Sequence, residues 1–391
     1  MSQRRPVRNR PRRSPCRDQR GMTLVFVGMG MLAFMSATML AIDVGMFMVA
    51  RTQAQTAADA GALAGAVALV FDDFNDRSAG GPAVQNAVVA AQLNPVMHQA
   101  VSVTPADVTF PTLERVRVDV YRTGGRGNPI STLIAPIFGI PTVDISATAT
   151  AAAVPANAAT CIKPWAVPDK WDEQQTPPWD PDDTFEAVVQ NGPNQGSPLP
   201  TPDIYVPPGQ PGYTGYDHSP QGPDYGLQVV LKHGNPNQAI NASHFLPIAL
   251  TPNSGAAWYE QNIPSCWPGV AILGDMVSVE PGNMVGPTAH GAQTLIDADP
   301  GAFWDVGENK VVSSLSPSPR IVVLPVFDPL VYDEGRAHGR IDIQISNLVG
   351  FFVENLQGND VVGRVVPMTG LVRGGIPVPT DAFLRAIRLV Q

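Results

Sequence analysis

The feature that most constrains this chain is an uncharged apolar run close to its N-terminus. No Asp, Glu, Lys or Arg occurs from Gly21 to Ile42. As an α-helix, the stretch from Leu24 to Ile42 rises about 28 Å, close to the hydrocarbon thickness of a bilayer. A cleavable signal peptide normally has an apolar region of only about 7–15 residues. The sequence therefore predicts a single uncleaved transmembrane helix.

An arginine-rich tail precedes this run and gives the first 20 residues a net charge of about +7, although the whole chain carries −9. The tail contains one acid, Asp18, against Arg4, Arg5, Arg8, Arg10, Arg12, Arg13, Arg17 and Arg20. Only Arg51 lies within about 15 residues of the other end, so the positive-inside rule predicts a cytoplasmic N-terminus and an exported body. We expect a bacterial inner membrane as the location and its lipid as one partner. A basic flank of a membrane span explains the tail better than nucleic-acid binding, so no nucleic-acid partner is predicted.

Small residues recur every four positions within the run, at Ala33, Ala37, Ala41 and Gly45. This spacing allows close approach of another helix in the membrane, although ordinary use of alanine explains it equally well. Beyond Asp43 the spacing continues with more polar neighbours, at Ala50, Ala54, Ala58, Ala62 and Ala66. We therefore predict one long helix over residues 22–70, with an amphipathic second half that packs on the exported body.

Three strings in this region carry a family resemblance. They are R-G-M-T at residues 20–23, A-I-D-V-G at 41–45, and R-T-Q-A-Q-T-A-A-D-A-G-A-L-A-G-A at 51–66. Together with the apolar run between them, they resemble the N-terminal region of TadE/TadG-like Flp (tight adherence) pilus-assembly proteins. The resemblance covers residues 20–70.

The resemblance implies a membrane-anchored structural or assembly component of a Flp (type IVb, Tad) pilus or a related envelope system, and it does not imply catalysis. The chain would bind envelope or pilus-assembly proteins through its N-terminal helix. Pilins of such systems are cut after a glycine by a peptidase that favours glutamate at the fifth mature position. Counted from Met22, that position is Phe26. We therefore expect the anchor to be retained, as in TadG-like members.

The predicted fold class is α+β: the transmembrane helix with its amphipathic extension, a small α+β unit, and a mainly β domain with long Pro-rich loops. The small unit should contain helices at residues 83–93 and 131–138 and strands at 116–120 and 143–151. Later strands are expected at 227–231, 271–273, 321–325, 341–345 and 361–366. The predicted division is a basic tail (1–20), anchor and extended helix (21–70), small α+β unit (71–154), Pro-rich region (155–225) and β domain (226–391).

Two of the three cysteines fall in the exported part. Cys161 and Cys266 are therefore expected to form a disulfide, because exported compartments are oxidising. Cys16 would lie on the cytoplasmic side. Two unpaired thiols are the alternative.

Two other functions remain open at this stage. Residues 155–225 hold 15 prolines together with Trp165, Trp171 and Trp179, which suits either an anchored carbohydrate- or peptide-binding module or loops packed on a β core. An exported hydrolase is less favoured, because the six histidines are dispersed and neither HExxH nor GxSxG occurs. Asp180, Asp182 and Asp183 lack the following glycine and the distal glutamate of a calcium loop, so a solvated acidic turn is predicted there. No catalytic, metal or cofactor site is predicted.

Overall fold

The computed structural model describes residues 20–72, 76–217, 222–315, 317–339 and 342–390. Most of the predicted basic tail, including Cys16, lies outside these ranges. Residues 73–75, shortly after the predicted end of the long helix, also lie outside them.

The described residues form five α-helices: α1 (Arg20–Phe71), α2 (Pro82–Gln92), α3 (Ala256–Asn262), α4 (Val285–Asp297) and α5 (Pro329–Ala337). The first strands are β1 (Val108–Thr112), β2 (Arg115–Arg122), β3 (Ile130–Ser131), β4 (Thr142–Val143), β5 (Ile145–Pro155), β6 (Ala158–Thr160), β7 (Trp165–Pro168), β8 (Gln228–His233) and β9 (His244–Pro247). They are followed by β10 (Val270–Ile272), β11 (Met276–Val277), β12 (Phe303–Asp305), β13 (Lys310–Val312), β14 (Ile321–Phe327), β15 (Ile343–Gln357), β16 (Asp360–Val366) and β17 (Arg385–Val390). The α+β class is confirmed.

The long helix forms as predicted, over residues 20–71 instead of 22–70. Its second half is rich in alanine, the best helix former, and Ala50, Ala54, Ala58, Ala62 and Ala66 are fully buried. They pack against α2 and the sheet that contains β2 and β5. The regular spacing of small residues therefore marks the face of α1 that the body covers.

The sheet beside α1 has the order β1-β2-β5-β17 and is antiparallel throughout. In β2 the apolar residues Val116, Val118 and Val120 are fully buried and face the helices. This is the half-buried strand that the alternating sequence predicts. Its edge strand β17 comes from the C-terminal end of the described chain, so residues 385–390 complete a sheet begun near residue 108.

The larger β region is a six-stranded barrel. Its strands follow the order β15-β14-β7-β9-β8-β16, and β16 pairs with β15 to close it. The run I-V-V-L-P-V-F of β14 is buried on both faces, since Val322, Leu324 and Val326 belong to one apolar cluster and Val323 and Phe327 to another. The later predicted strands correspond to β8, β10, β14, β15 and β16. Their ends are shifted by at most two residues, except that β15 continues to Gln357, well beyond the predicted end at residue 345.

The helix predicted at residues 131–138 is wrong. Ile130 and Ser131 form β3, and Ala135–Phe138 form a single 3-10 turn that ends at Gly139 with φ of 81°. Pro136 lies in the first half of this turn and Pro141 follows it, and the two prolines limit any longer helix. The helix predicted at residues 83–93 is confirmed as α2.

Candidate membrane anchor and its junction with the body

The N-terminal half of α1 is an exposed apolar rod. Of the described residues, one helix, Gly21–Phe71, is long and apolar enough to cross a membrane, and its most apolar window has no buried residue. Leu24, Phe26, Leu32 and Phe34 each leave about two-thirds or more of their surface exposed. Exposing such an apolar surface to water costs free energy, whereas lipid acyl chains solvate it favourably. The chain thus has a possible single-pass anchor at its N-terminus.

The small-residue face of the anchor points away from the part of α1 that the body contacts. Ala33, Ala37, Ala41 and Gly45 are all exposed, and a Cβ built on Gly45 would meet no atom within 4 Å. Asp43, which the body does contact, is two positions from Ala41 and therefore about 200° around the helix. The four small residues are available to another helix, and their use in packing stays a prediction.

Asp43 joins the anchor to the body. Its side chain is almost fully buried, with 1% exposed, and its carboxylate accepts three backbone hydrogen bonds. The N–H groups of Leu133, Ile134 and Ala135 donate to it at 2.9, 3.1 and 2.8 Å. One carboxylate thus satisfies three donors of a turn that lies 90 residues further along the chain. The sequence analysis includes Asp43 in the A-I-D-V-G string at residues 41–45, but the sequence gives no indication of these partners.

Replacement of Asp43 by alanine should release this turn. Without the carboxylate, the three donors lose their acceptor, and we expect the amide hydrogens of residues 133–135 to exchange faster. Hydrogen exchange read by mass spectrometry on the detergent-solubilised protein measures this. Asp144→Ala is the matched control, because Asp144 accepts a hydrogen bond from the backbone N–H of Gly124 at 2.7 Å. Unchanged exchange at 133–135 in Asp43→Ala would contradict the assigned role.

Past the junction, α1 lies against α2 at very short range. A Cβ added to Gly61 would lie 2.9 Å from the carbonyl oxygen of Ala87, and one added to Gly65 would lie 2.8 Å from Cγ1 of Val116. The facing residues Ala83, Ala87 and Ala91 are fully buried. The A-G-A-L-A-G-A string is thus a packing surface for α2 and β2, in which the two glycines mark the closest approach.

The predicted disulfide between Cys161 and Cys266 is present. It links the segment between β6 and β7 to the segment that follows α3, 105 residues later. A shallow cavity of about 320 Å³ lies beside it. One wall of this cavity is Lys163, whose ammonium group donates to the carbonyl of Ser265 at 2.7 Å and whose pKa is lowered to about 8 by burial.

Loss of this bond should destabilise the body. Closing a loop of this length in the unfolded chain corresponds to about 4–5 kcal/mol in the chain-entropy model. We expect Cys161→Ala/Cys266→Ala to lower the free energy of unfolding by up to that amount, as measured by denaturant titration. Cys16→Ala is the control and should have no effect. An unchanged unfolding midpoint in the double variant would contradict the prediction.

Two carboxyl groups converge in the Pro-rich region, and converging carboxyl groups are a feature that an exported hydrolase would show. Glu173 and Asp203 are each 4% exposed. Glu173 accepts hydrogen bonds from Trp171 Nε1 and from the backbone N–H groups of Gln175 and Thr176. Asp203 accepts from the backbone N–H groups of Gln174 and Glu186 at 3.0 and 2.8 Å. Their oxygens are occupied in holding loops together, so this pair is explained as structural.

The pair has a consequence for stability. Burial, reinforced by the nearby Glu173 carboxylate, raises the pKa of Asp203 to about 6 from its ordinary 3.8, although two backbone donors oppose the shift. The folded protein therefore binds this proton more tightly than the unfolded chain does. The resulting stabilisation is complete below about pH 4 and is lost as pH rises through about 6.

Comparison with Asp203→Asn isolates this effect from other groups, including His233 and His244, whose pKa values are lowered mainly by burial. We expect the free energy of unfolding of the wild type, minus that of the variant, to increase as pH falls from 7.5 to about 5. Chemical denaturation at several pH values measures it. A difference that stays constant over this range would contradict the prediction.

The tryptophans of the Pro-rich region are core residues. Trp165 and Trp171 are 0% and 2% exposed, and Trp171 packs edge-on against Trp179 and Phe185 with ring centres 6.2 and 5.3 Å apart. This arrangement matches loops packed on a β core, not an aromatic ligand surface. In the described ranges no three His, Cys, Asp or Glu side chains form a possible metal cluster, and Asp182 pairs with Lys232 at 2.7 Å.

Residues 21–68 match the family described as putative Flp pilus-assembly TadE/G-like. The match covers the apolar half of α1, Asp43 and the buried stripe that packs on α2. The predicted family resemblance is thereby confirmed for this segment. No curated protein and no solved structure shows significant similarity to the chain. This match supports a pilus-related component with a possible N-terminal membrane anchor.

Proposed function

We propose that the chain is a TadG-like structural or assembly component of a Flp (Tad) pilus or related envelope system, held in the bacterial inner membrane by α1. One observation carries the proposal. The family match coincides with a helix that is exposed and apolar in its first half and packed into a folded body in its second half. The same helix can thus anchor the body and hold it at a set distance from the bilayer.

In this proposal the N-terminus is cytoplasmic and the body is exported. The charge asymmetry across the span favours that orientation, and a disulfide in the body suits an oxidising compartment. Phe26, in place of the glutamate that prepilin processing favours, supports retention of the whole anchor. Intact mass and N-terminal sequencing of the membrane-fraction protein test retention. A mature chain that begins at Met22 would contradict it.

In this proposal the chain binds its partners through the exposed small-residue face of α1. Ala37 and Ala41 lie near the middle of that face, where a larger side chain would keep another helix at a distance. We expect Ala37→Leu/Ala41→Leu to remain in the membrane but to lose co-purification with the pilus secretion platform. Gly28→Leu, on another side of the helix, is the matched control. Co-purification that survives the double substitution would contradict this assignment.

A further inference from the structure

The loop that Asp43 holds exposes apolar side chains on its outer surface. We define the exit loop as residues 132–140, between β3 and β4. Leu133, Ile137 and Ile140 leave 66%, 76% and 51% of their surfaces exposed. From residue 127 to residue 143 the chain carries no charged side chain. An uncharged loop with this much exposed apolar surface indicates contact with a nonpolar environment, either another protein or a membrane.

The position of the loop identifies that environment. It contacts α1 at Asp43, immediately after the uncharged run ends. Ala50 is the first fully buried alanine of α1, so the contact at Asp43 lies about 10 Å closer to the apolar half. Met39 and Ser36, one and two turns before Asp43 on the same side of the helix, are half-buried. The part of the body nearest Asp43 is therefore also the part nearest the proposed span.

The backbone of the loop is prepared for a poorly hydrated site, because its donors bond within the protein. Three N–H groups donate to Asp43, and Thr132, Ile137, Gly139 and Ile140 donate to backbone carbonyls of the same loop or its flanks. Pro136 has no N–H group to satisfy. The hydroxyl of Thr132 also donates to the carbonyl of Ile140 at 2.6 Å. Backbone donors that bond within the protein lower the cost of moving a segment from water to the edge of the hydrocarbon.

We propose that the exit loop is a second membrane contact, which inserts Leu133, Ile137 and Ile140 into the headgroup–acyl boundary of the bilayer that α1 crosses. The inference rests on the proposed insertion of α1. The apolar surface of the exit loop continues the exposed apolar surface of α1, and Asp43 attaches the loop to the helix. The contact would restrain the tilt of α1 and fix which side of the body faces the membrane.

Site-specific fluorescence in lipid vesicles tests the proposal. The full chain with Cys16→Ser receives one new cysteine, which is labelled with a polarity-sensitive dye. The labelled protein is placed in vesicles of phosphatidylcholine and phosphatidylglycerol. These vesicles contain lipids with nitroxide quenchers near the headgroup end of the acyl chains. The three sites are Ile137→Cys in the loop, Leu32→Cys in the span and Val306→Cys as control. Val306 is 78% exposed on the hairpin of β12 and β13, whose Lys310 lies beside Asp72, roughly 40 Å along α1 from Asp43.

We expect the dye at residue 137 to be quenched several-fold more strongly than the dye at residue 306. Adding Asp43→Ala should reduce quenching at 137 without changing it at 32. If the dye at 32 is quenched and the dye at 137 is not, the loop proposal fails while the anchor stands. If neither is quenched, the anchor itself fails. A blue-shifted dye at 137 that lipid quenchers do not reach would indicate cover by protein and would also overturn the proposal. Ile140→Cys repeats the test if Ile137→Cys does not fold.

Discussion

Substitution of Gly61 by leucine should separate α1 from α2 and unfold the unit built on them. The added Cβ alone would lie 2.9 Å from a backbone carbonyl oxygen, which cannot rotate away as a side chain can. Overpacking of a tight interface typically costs about 1–3 kcal/mol, and backbone contacts place this site at the upper end. We expect a lower thermal midpoint and loss of protease resistance of the detergent-solubilised protein.

Gly28→Leu is the matched control for this prediction. It makes the same change in the same helix, but no atom lies within 4 Å of the position of its Cβ. Its thermal midpoint should equal that of the wild type. Equal midpoints for both variants would mean that α1 and α2 do not pack as closely as their glycines and alanines indicate.

Two arginines in the middle of the apolar run should prevent stable insertion. Leu32 and Met35 lie near the centre of the span and are 68% and 48% exposed. Each arginine at a helix centre costs roughly 2.5–3.5 kcal/mol on the insertion scale, so Leu32→Arg/Met35→Arg loses about 5–7 kcal/mol. We expect most of the variant to be released from membranes by alkaline carbonate, whereas the wild type remains.

Phe303→Arg/Val306→Arg is the control for charge as such. Both residues are more than half exposed in and beside the β12–β13 hairpin, far from the apolar half of α1. This variant should stay in the membrane pellet. Carbonate-resistant Leu32→Arg/Met35→Arg would contradict the assignment of residues 21–42 as the membrane span.

Local patterns in the sequence were enough for the elements that depend on neighbouring residues. The uncharged run and the alanine repeat predict α1 nearly to its ends, and alternation predicts β2 because a half-buried strand exposes every second side chain. The disulfide could also be predicted, since only two cysteines follow the apolar run in the sequence. The helix predicted at residues 131–138 is wrong because Pro136 and Pro141 leave room for no more than a single 3-10 turn.

The junction between the apolar helix and the body was harder to predict from the sequence. Asp43 lies in a recognisable motif, but the N–H groups that donate to its carboxylate belong to residues 133–135. No local sequence pattern indicates that these two segments are in contact. The uncharged stretch of residues 127–143, with isoleucines and a leucine but no regular period, was the available signal for an exposed apolar loop. Glu173 and Asp203 likewise gave no sign of their contact, because they lie 30 residues apart in a region without periodicity.

By itself, the sequence determined the long apolar helix, the family character of residues 21–68 and seven of the seventeen described strands, because hydropathy and spacing act over a few turns or residues. Only the tertiary structure decided that β17 returns to pair with β5, that β14 pairs with β7 and β16 with β8 in the barrel, and that Asp43 holds the exit loop beside the apolar run. Those contacts join segments 90 to more than 200 residues apart. Their free energy depends on how the whole chain packs, and no short pattern encodes it.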